Sequence, residues 1–280
     1  MSGTSSWLNN LTAKVSYGVQ GNDNLGSYYA WQGRFNYGWP NGSRPGTIAS
    51  SIENKLVTWE KNGNLNTGIE ASLFGGRLSA TVEYYSRRTR DMLLNNPLAV
   101  SSGFTGYDDN VGSMVNRGFE ASFRGVIFER ENFHWDATAM VSLNRNKVTE
   151  LTSSQNVINY GSMVIEVGKP IYTFYMSKSA GVSPATGKQL YWANYRYAVD
   201  PTSGNVTTEK CDEYVTDNVG LASLSKYYYG SRQALFSGSF SSNFIIFKNF
   251  DFSFLTTYSV GGKILDSLYD GAMNVTYAGN

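Results

Sequence analysis

Cysteine and histidine are almost missing from this sequence. Among 280 residues there is one cysteine, Cys211, and one histidine, His134. A single cysteine excludes an internal disulfide framework and a cluster of thiolate metal ligands. A Ser-His-Asp triad would have to use His134, which follows a short turn at what we interpret as the wrong rim for an outward-facing active site. We therefore expect no enzymatic activity, no metal and no cofactor.

Charge and long apolar runs are also scarce. Charged residues make up 16% of the chain, and 23 basic residues balance 22 acidic ones, whereas about a quarter of a soluble protein is charged. This balance gives no field that would attract nucleic acid. No apolar run exceeds four residues, and a transmembrane helix needs about 20. The first ten residues lack the basic start and apolar core of a signal peptide, so we expect none here.

Aromatic residues are abundant, at 15% of the chain, and they follow a period of two. The clearest example is residues 116–146, which predict two strands of about ten residues around a short polar turn. That is twice the usual strand length of about 5–6 residues and close to what a tilted strand needs to cross a bilayer. The residues predicted to share the outward face are Phe119, Ala121, Phe123, Gly125 and Ile127 in the first strand, and Phe133, Trp135, Ala137, Ala139, Val141 and Leu143 in the second.

The same alternation predicts five further strands, near residues 11–19, 66–73, 78–85, 234–244 and 250–259. None of the seven outward faces carries a charge. Since a charge at the middle of a bilayer costs roughly 2–4 kcal/mol, this sorting predicts an all-β, antiparallel transmembrane barrel segment with a wet interior. A large antiparallel sheet with one face on a protein core would show the same alternation. The charges on the opposite faces are Lys14, Glu70, Glu83, Glu120, Arg124, Asp136 and Asp251.

Connection lengths favour the barrel. Short turns are predicted at residues 74–77, 128–132 and 247–249, and long segments at 20–63, 87–115 and 147–231. Short turns on one rim and long loops on the other are typical of outer-membrane barrels. Because each strand crosses the membrane once and the long segments share one rim, residues 20–63 should lie wholly outside the membrane. Residues 28–37 (YYAWQGRFNY) should therefore be a loop element in spite of their strand-like composition.

A resemblance sharpens this interpretation. The order and spacing of short motifs over residues 11–190 resemble the barrel of SusC/RagA-type TonB-linked outer-membrane transporters of Bacteroidota, and residues 110–120 (NVGSMVNRGFE) are the most specific match. The other matching pieces are Ser16-Tyr17-Gly18, Gly21-Asn22, Trp59-Glu60, residues 66–70 (NTGIE), Glu83-Tyr84-Tyr85, residues 88–93 (RTRDML), Ser102-Gly103, Asn144-Arg145-Asn146, Gly168-Lys169-Pro170 and Ala180-Gly181-Val182.

The resemblance implies that residues 1–280 are part of one TonB-dependent receptor barrel domain in the outer membrane of a Gram-negative cell. It implies import of oligosaccharides or peptides, a SusD-like surface lipoprotein as a lid, and energy from TonB–ExbB–ExbD through a plug. Such transporters are far longer, with a signal peptide, a plug and a closing strand that this sequence lacks. Because seven strands of a roughly 22-stranded barrel cannot close in lipid, we expect the chain to be a central fragment.

Two groups of side chains are candidate binding residues. Arg87, Arg88 and Arg90 lie where a strand enters a loop, and could bind lipopolysaccharide phosphates or a substrate carboxylate, or pair with loop acids. Aromatic side chains in the predicted outer loops could stack on sugars or contact peptide side chains, or could pack among the loops. These are Trp31, Trp39, Trp192 and Tyr228.

Two rival functions follow from the same residues. A soluble or surface-attached glycan-binding or adhesin sheet would need charges on the faces that we assign to lipid, and those faces have none. An outer-membrane protease or lipase would need catalytic residues on the outer rim. The Asn-Asp clusters at 22–24 and 108–110 supply oxygen ligands of the kind that calcium takes, but such residues are also common in turns.

Overall fold

The computed structural model describes residues 7–24, 28–152 and 156–273, and within these ranges the regular secondary structure is almost entirely β-strand. Two short helices, α1 (Val219–Leu224) and α2 (Ser267–Met273), and a 3-10 turn at Val100–Ser102 interrupt the strands. The strands are β1 (Leu8–Asn22), β2 (Arg34–Tyr37), β3 (Thr47–Ser51), β4 (Glu60–Leu73), β5 (Leu78–Arg90), β6 (Leu93–Pro97), β7 (Gly106–Asn110), β8 (Ser113–Arg130), β9 (Phe133–Glu150), β10 (Val157–Tyr160), β11 (Met163–Glu166), β12 (Thr173–Val182), β13 (Gln189–Val199), β14 (Val206–Thr216), β15 (Lys226–Ser231), β16 (Phe236–Ile246) and β17 (Phe250–Val260).

Seven long antiparallel strands form the main sheet, in the order β1-β4-β5-β8-β9-β16-β17. They are the seven strands that the alternation predicts, so the prediction of an all-β antiparallel fold is confirmed. Most are longer than predicted, and β8 and β9 each reach 18 residues. In the part of the chain that the structure describes, β1 and β17 each pair on one side only, so the sheet is open.

Two short turns of this sheet, at residues 74–77 and 247–249, are as predicted, whereas the turn predicted at 128–132 is only residues 131–132, because β8 extends to Arg130. Between β4 and β5 the chain reverses at Phe74, Gly75 and Gly76, all of which have positive φ angles. Phe247 and Lys248 take the same left-handed conformation between β16 and β17. That conformation is strained for residues with a Cβ atom, and hairpin connections of only three or four residues use it to reverse the chain.

One predicted face needs a correction at a bulge. The register of β8 against β9 shifts between Val126 and Phe128, so that Ile127 is the extra residue and Phe128 stands opposite Trp135. Phe128 therefore joins the outward face, which the simple alternation did not predict. Ile127 keeps its place there, since its Cδ1 lies 3.6 Å from where a Cβ on Gly125 would be.

The long segments contain secondary structure of their own. Within residues 28–37 only Arg34–Tyr37 forms a strand, β2, and it pairs with β3 in a separate two-stranded sheet. Likewise β6 pairs with β7. The segments therefore add no strand to the main sheet, as predicted, but the first two contain small hairpins and the third contains the sheet of β10–β15.

The chain divides into two compact units. The main sheet belongs to the first, and the second contains the described parts of Asn159–Ile165, Tyr172–Arg232 and Gly262–Asn280. In the second unit β12 pairs with β11, β13 and β15, and β13 pairs with β14. Asn218 caps α1 by accepting a hydrogen bond from the Leu221 N–H.

Helices long and apolar enough to cross a membrane do not occur among the described residues.

Candidate functional site

One face of the main sheet is apolar and exposed. Val15 is 76% exposed, Ile69 55% and Phe123 45%, although each side chain is in the middle of a long strand. Aromatic rings gather in a first band close to the short turns. There Trp135 stacks on Phe244 with centroids 5.5 Å apart, and Phe128 and Phe133 are 5.6 Å apart.

A second aromatic band crosses the same face farther toward the long connections. Its pairs are Tyr84 with Phe119, at 4.9 Å, and Phe236 with Tyr258, at 6.2 Å. Phe119 and Phe128 are nine residues apart on β8, which is about 30 Å along a strand and about 23 Å along the membrane normal at a tilt of ~40°. This matches the ~25 Å apolar band, with aromatic girdles on both sides, of transmembrane barrels. The residues between the two bands include Ala80, Val82, Ala121, Phe123, Ala139 and Val141.

The polar group of Trp135 is satisfied within this face. Its indole Nε1 donates a hydrogen bond of 2.7 Å to the Ser242 hydroxyl, and Ser242 is 1% exposed. An indole N–H left unpaired in an apolar environment would cost free energy. Ser242 therefore belongs to the outward face although its side chain is polar, as the alternation predicts.

In the middle of the sheet the charges lie on the opposite face, and most of them are paired. Lys14 contacts Glu70, and Arg124 lies 3.7 Å from Asp136. Asp136 is 6% exposed, and it also accepts a 3.3 Å hydrogen bond from the Asn243 amide and lies 3.6 Å from His134. His134 thus contributes to a polar network on this face.

An amide-rich patch lies on the polar face. The Arg87 Nε donates to Asn64 Oδ1 at 2.7 Å, and the Asn146 amide donates to Asn116 Oδ1 at 2.8 Å. The Asn144 Oδ1 is buried and has no hydrogen-bond partner among the described residues. The patch lines a cavity of about 440 Å³ formed by Asn64, Asn66, Tyr85, Ser86, Arg87, Asn116, Glu120 and Asn144.

A second concave region adjoins the first along the same strands. Its volume is about 590 Å³, and Glu83, Glu120, Ser142, Ser239 and Thr257 are among its lining residues. Glu83 and Glu120 stand directly opposite each other on β5 and β8. The two regions together present amides, hydroxyls and two carboxylates, which can exchange hydrogen bonds with a polar solute. In the sequence this patch is marked by asparagine at every second position of residues 62–66 and 144–146. Sequence analysis did not identify these asparagines as a site.

Residues 110–120, the most specific motif, have structural roles. Asn110 accepts from the Thr58 N–H at 2.7 Å and donates to the carbonyls of Thr58 and Asp91 at 2.8 and 2.9 Å. Val111 is fully buried and donates its N–H to the Met92 carbonyl at 2.7 Å. The Asn110 side chain thereby anchors residues of the long segment before β4 to the hairpin that precedes β8. The side chain of Asn110 is thus fully used within the protein.

At both glycines of residues 110–120, a backbone carbonyl of a neighbouring strand lies too close to leave room for a Cβ atom. Gly112 has φ of +85°, and a Cβ there would lie 2.0 Å from the Glu150 carbonyl oxygen. A Cβ on Gly118 would lie 2.3 Å from the Leu143 carbonyl oxygen and 2.5 Å from the Tyr85 ring. Tyr85 stands opposite Gly118 and covers it on the polar face. The motif is therefore an anchor for the strands that frame the amide-rich patch.

The three predicted arginines are divided between the two faces of β5. Arg87 belongs to the polar face, where it bonds Asn64, whereas Arg88 and Arg90 alternate onto the outward face. All three are exposed. They do not form one cluster, because successive residues of a regular strand point to opposite sides.

The four predicted aromatic contacts are also distributed. Trp31 and Trp39 lie in the first unit and are 45% and 59% exposed. In the second unit, the Lys178 ammonium lies over Trp192 at 4.9 Å. Tyr228 packs on Tyr175 at 4.6 Å and is 49% exposed. No structural observation tests whether any of the four binds a ligand, and this assignment stays a prediction.

Tyr227, next to Tyr228, has a different environment. Its ring lies 5.2 Å from the Lys178 ammonium, and Lys178 is 3.9 Å from Glu213. Burial, followed by the nearby Glu213 carboxylate, raises the pKa of Tyr227 to about 12. Its hydroxyl therefore stays protonated over the physiological pH range. The Lys178 ammonium lies over the rings of both Trp192 and Tyr227. Part of each aromatic surface is therefore occupied by a contact within the protein.

Long antiparallel strands whose outward face is uncharged between two aromatic bands, and whose opposite face is polar, define a wall of a transmembrane β-barrel. Comparison with known proteins gives the family: the model of the TonB dependent receptor-like β-barrel matches residues 4–271, and the chain belongs to this family. The family resemblance found in the short motifs is thereby confirmed.

Particular relatives share most of this chain. It is 28% identical to TonB-dependent receptor P39 of Formosa agariphila over 304 aligned positions, which cover 97% of the chain and 29% of the relative. It is 25% identical to TonB-dependent receptor SusC of Bacteroides thetaiotaomicron, over 97% of the chain and 27% of the relative. The solved RagAB peptide importer in its closed-closed state is 31% identical, with a TM-score of 0.73, over 92% of this chain and 27% of that one. The chain thus spans less than a third of the length of these relatives.

Proposed function

We propose that this chain forms part of the barrel wall of a TonB-dependent importer in the outer membrane of a Gram-negative bacterium, and that it transports nutrients without chemical change. The main observation in support is the sorting of side chains on the seven-stranded sheet. Its outward face has no charge between the two aromatic bands, and its polar face carries the paired ions and the amide-rich patch. A soluble sheet gains nothing from such an exposed apolar face.

The substrate that we propose is an oligosaccharide or a peptide. Both offer many hydroxyl or amide groups, and the amides of Asn64, Asn116 and Asn144 with the Arg87 guanidinium can bind such groups along the polar face. The buried, unpaired Asn144 Oδ1 provides an acceptor for a substrate O–H or N–H. Similarity to SusC and to the RagAB peptide importer supports this class of substrate.

The partners that we propose follow from the same relatives. They are a SusD-like surface lipoprotein at the long-connection end of the barrel, and TonB–ExbB–ExbD, which would act through a plug. The proposed ligand and lid surface includes the exposed aromatic side chains of the long segments. These are Trp31, Trp39, Trp192 and Tyr228.

Membrane placement can be tested with spin labels on neighbouring residues of β9. In the intact protein with Cys211→Ser, nitroxides at Ala139→Cys and Thr138→Cys would be examined in lipid bilayers by electron paramagnetic resonance. We expect oxygen, which concentrates in lipid, to relax the label at position 139, and expect no such contact at position 138. A label at position 139 that is open to a water-soluble nickel chelate would favour the soluble or adhesin alternative.

Transport can be tested by growth. A strain that lacks the gene should lose growth on one oligosaccharide or peptide source and regain it with the wild-type gene. Asn64→Ala with Asn144→Ala should reduce uptake of that source, because both side chains line the patch. Asn205→Ala, in the second unit, serves as the matched control. Undiminished growth of the deletion strain on every source would contradict the proposal.

A further inference from the structure

Beyond the second aromatic band, the outward face of the main sheet becomes strongly basic. Phe119 and Leu143, at the edge of the band, stand opposite each other on β8 and β9. Two residues farther along, Arg117 stands opposite Arg145. Another two residues along, Val115 stands between Arg88 on β5 and Lys147 on β9. We define the basic rim as Arg88, Arg90, Arg117, Arg145 and Lys147, all of which are exposed.

None of these five cations has an acidic partner within 4.0 Å in the described part of the chain. The acids on the neighbouring positions do not neutralise them. Asp91 pairs with Lys61 at 2.9 Å, and Glu150 stands opposite Ser113. Like charges directly opposite each other on a sheet are destabilising, and among residues 7–24, 28–152 and 156–273 no acidic side chain offsets that cost for the Arg117–Arg145 pair.

The short-turn end of the sheet shows no such excess. There Lys248 pairs with Glu131 at 3.5 Å, and Arg130 lies over the Phe128 ring at 5.8 Å. Glu129 lies 3.9 Å from His134. Bases and acids alternate at this end, so the unbalanced positive charge belongs to one rim of the outward face alone.

The height of the basic rim identifies its surroundings. At ~3.3 Å per residue and a tilt of ~40°, Arg117 and Arg145 stand about 5 Å beyond the band edge, and Arg88 and Lys147 about 10 Å beyond it. A lipid headgroup layer extends roughly 5–7 Å from the hydrocarbon core, so Arg117 and Arg145 stand within it and Arg88 and Lys147 stand just above it. We propose that the basic rim binds the phosphate groups of phosphorylated lipids in the outer leaflet. This inference rests on the proposed outer-membrane function.

Phosphate fits these residues chemically. Four of the five are arginines, whose planar guanidinium donates two parallel hydrogen bonds to phosphate oxygens. The rim is continuous with the lipid-facing surface, and not with the polar face where Arg87 bonds Asn64. A lipid phosphate between Arg117 and Arg145 would offset their mutual repulsion. The barrel would thereby be held at a defined depth in the membrane.

The test uses the intact protein in phosphatidylcholine nanodiscs that contain a small share of diphosphorylated lipid A. The triple variant Arg88→Gln, Arg117→Gln, Arg145→Gln is compared with Arg77→Gln, Arg130→Gln, Lys248→Gln, which removes three positive charges at the other rim. Native mass spectrometry counts the lipid A retained per protein. We expect retention to fall at least about tenfold in the first variant, and to be close to wild type in the second.

Two further measurements separate the possible failures. Dephosphorylated lipid A should be retained poorly by the wild type, and added salt should weaken retention of the phosphorylated form. Equal retention of both lipids, or equal retention by both triple variants, would overturn the inference. Heat-modifiable mobility in gels reports folding and insertion separately: failure of the wild type to insert would count against the proposed function itself. If the first triple variant does not fold, Arg145→Gln alone should still lower retention, and unchanged retention would overturn the inference.

Discussion

The two units of this chain place their apolar side chains in opposite ways. Along the main sheet, Val15, Tyr17 and Phe252 remain 76%, 72% and 58% exposed. In the second unit Val164, Phe174 and Ala193 are at most 5% exposed, and Leu221 of α1 is equally buried. The buried apolar side chains of the first unit lie toward the long connections, in Met92, Val111, Val115, Val148, Leu151 and Ile158.

The two units also differ in where their ion pairs lie. In the second unit Arg196 pairs with Glu209 at 2.6 Å and Lys188 with Asp217 at 3.1 Å, with every side chain largely exposed to solvent. In the middle of the main sheet the pairs occupy one face only. The comparison teaches that strands of similar composition are adapted to different solvents: the second unit has a core of its own, whereas the middle of the main sheet depends on lipid to cover its apolar face.

The largest effect should come from a charge on the lipid-facing side. Ala121→Arg in the intact protein should lower the free energy of unfolding from bilayers by roughly 2–4 kcal/mol, because the charge would enter the apolar band. Ser122→Arg, the next residue on β8 but on the polar face, should cost less than about 1 kcal/mol. Denaturant titration in lipid vesicles measures both. Similar losses in the two variants would remove the distinction between the faces.

Loss of close packing between strands should have the next largest effect. Gly118→Ala places a Cβ against the Leu143 carbonyl and the Tyr85 ring, and should cost about 1–3 kcal/mol of unfolding free energy. Gly18→Ala on β1 meets no atom within 4 Å, and should change stability by about 0.5 kcal/mol or less. Stability measured in the same vesicles checks both. A neutral Gly118→Ala would contradict the structural role assigned to residues 110–120.

A smaller effect is expected from one hydrogen bond on the outward face. Ser242→Ala removes the acceptor of the Trp135 indole N–H, and should cost about 1 kcal/mol, since the donor is left unpaired in lipid. Ser241→Ala, the neighbouring change on the polar face, should be close to neutral. Tryptophan emission should also shift in Ser242→Ala and stay unchanged in Ser241→Ala. A shift of the same size in both variants would argue against this hydrogen bond.

The smallest effect is expected in the second unit. The hydrogen bond and charge of Lys188 lower the pKa of the Asp217 carboxyl, so the pair stabilises the folded state above the ordinary pKa of the carboxyl and loses that contribution as the pH falls below it. Both groups are exposed and screened by solvent. Lys188→Gln should therefore leave the melting temperature at neutral pH unchanged within error in calorimetry. A clear drop would show that the second unit depends on its surface charges more than its core implies.

The alternation of side chains was sufficient to predict the main sheet. The pattern of Phe119, Ala121 and Phe123 against Glu120, Ser122 and Arg124 reports directly which solvent each face meets, since a strand has a period of two. The bulge at Ile127 interrupts that period, and the sequence therefore assigned Phe128 to the turn at residues 128–132 and not to the outward face. The hairpins β2–β3 and β6–β7 were missed because strands of four or five residues give too short a pattern to read. The longer strands β12 and β13 were missed as well, and register shifts interrupt their period of two.

Sites were harder to predict than strands. Sequence proximity groups Arg87, Arg88 and Arg90 into one rim cluster, yet side chains in a sheet meet across strands. Arg117 and Arg145 are 28 residues apart in sequence and stand opposite each other. The amide-rich patch likewise joins asparagines of β4, β8 and β9.

The sequence by itself determined the seven long strands, the two faces of the sheet and the family, because each of these follows from local alternation or from motifs read along the chain. Tertiary structure alone decided which residues meet: Arg117 with Arg145, Tyr85 over Gly118, Trp135 with Ser242, and the asparagines of the patch. The physical reason is register. A shift of one residue between neighbouring strands would exchange these partners and turn the side chains to the other face, and register is set by turns, bulges and side-chain packing between strands.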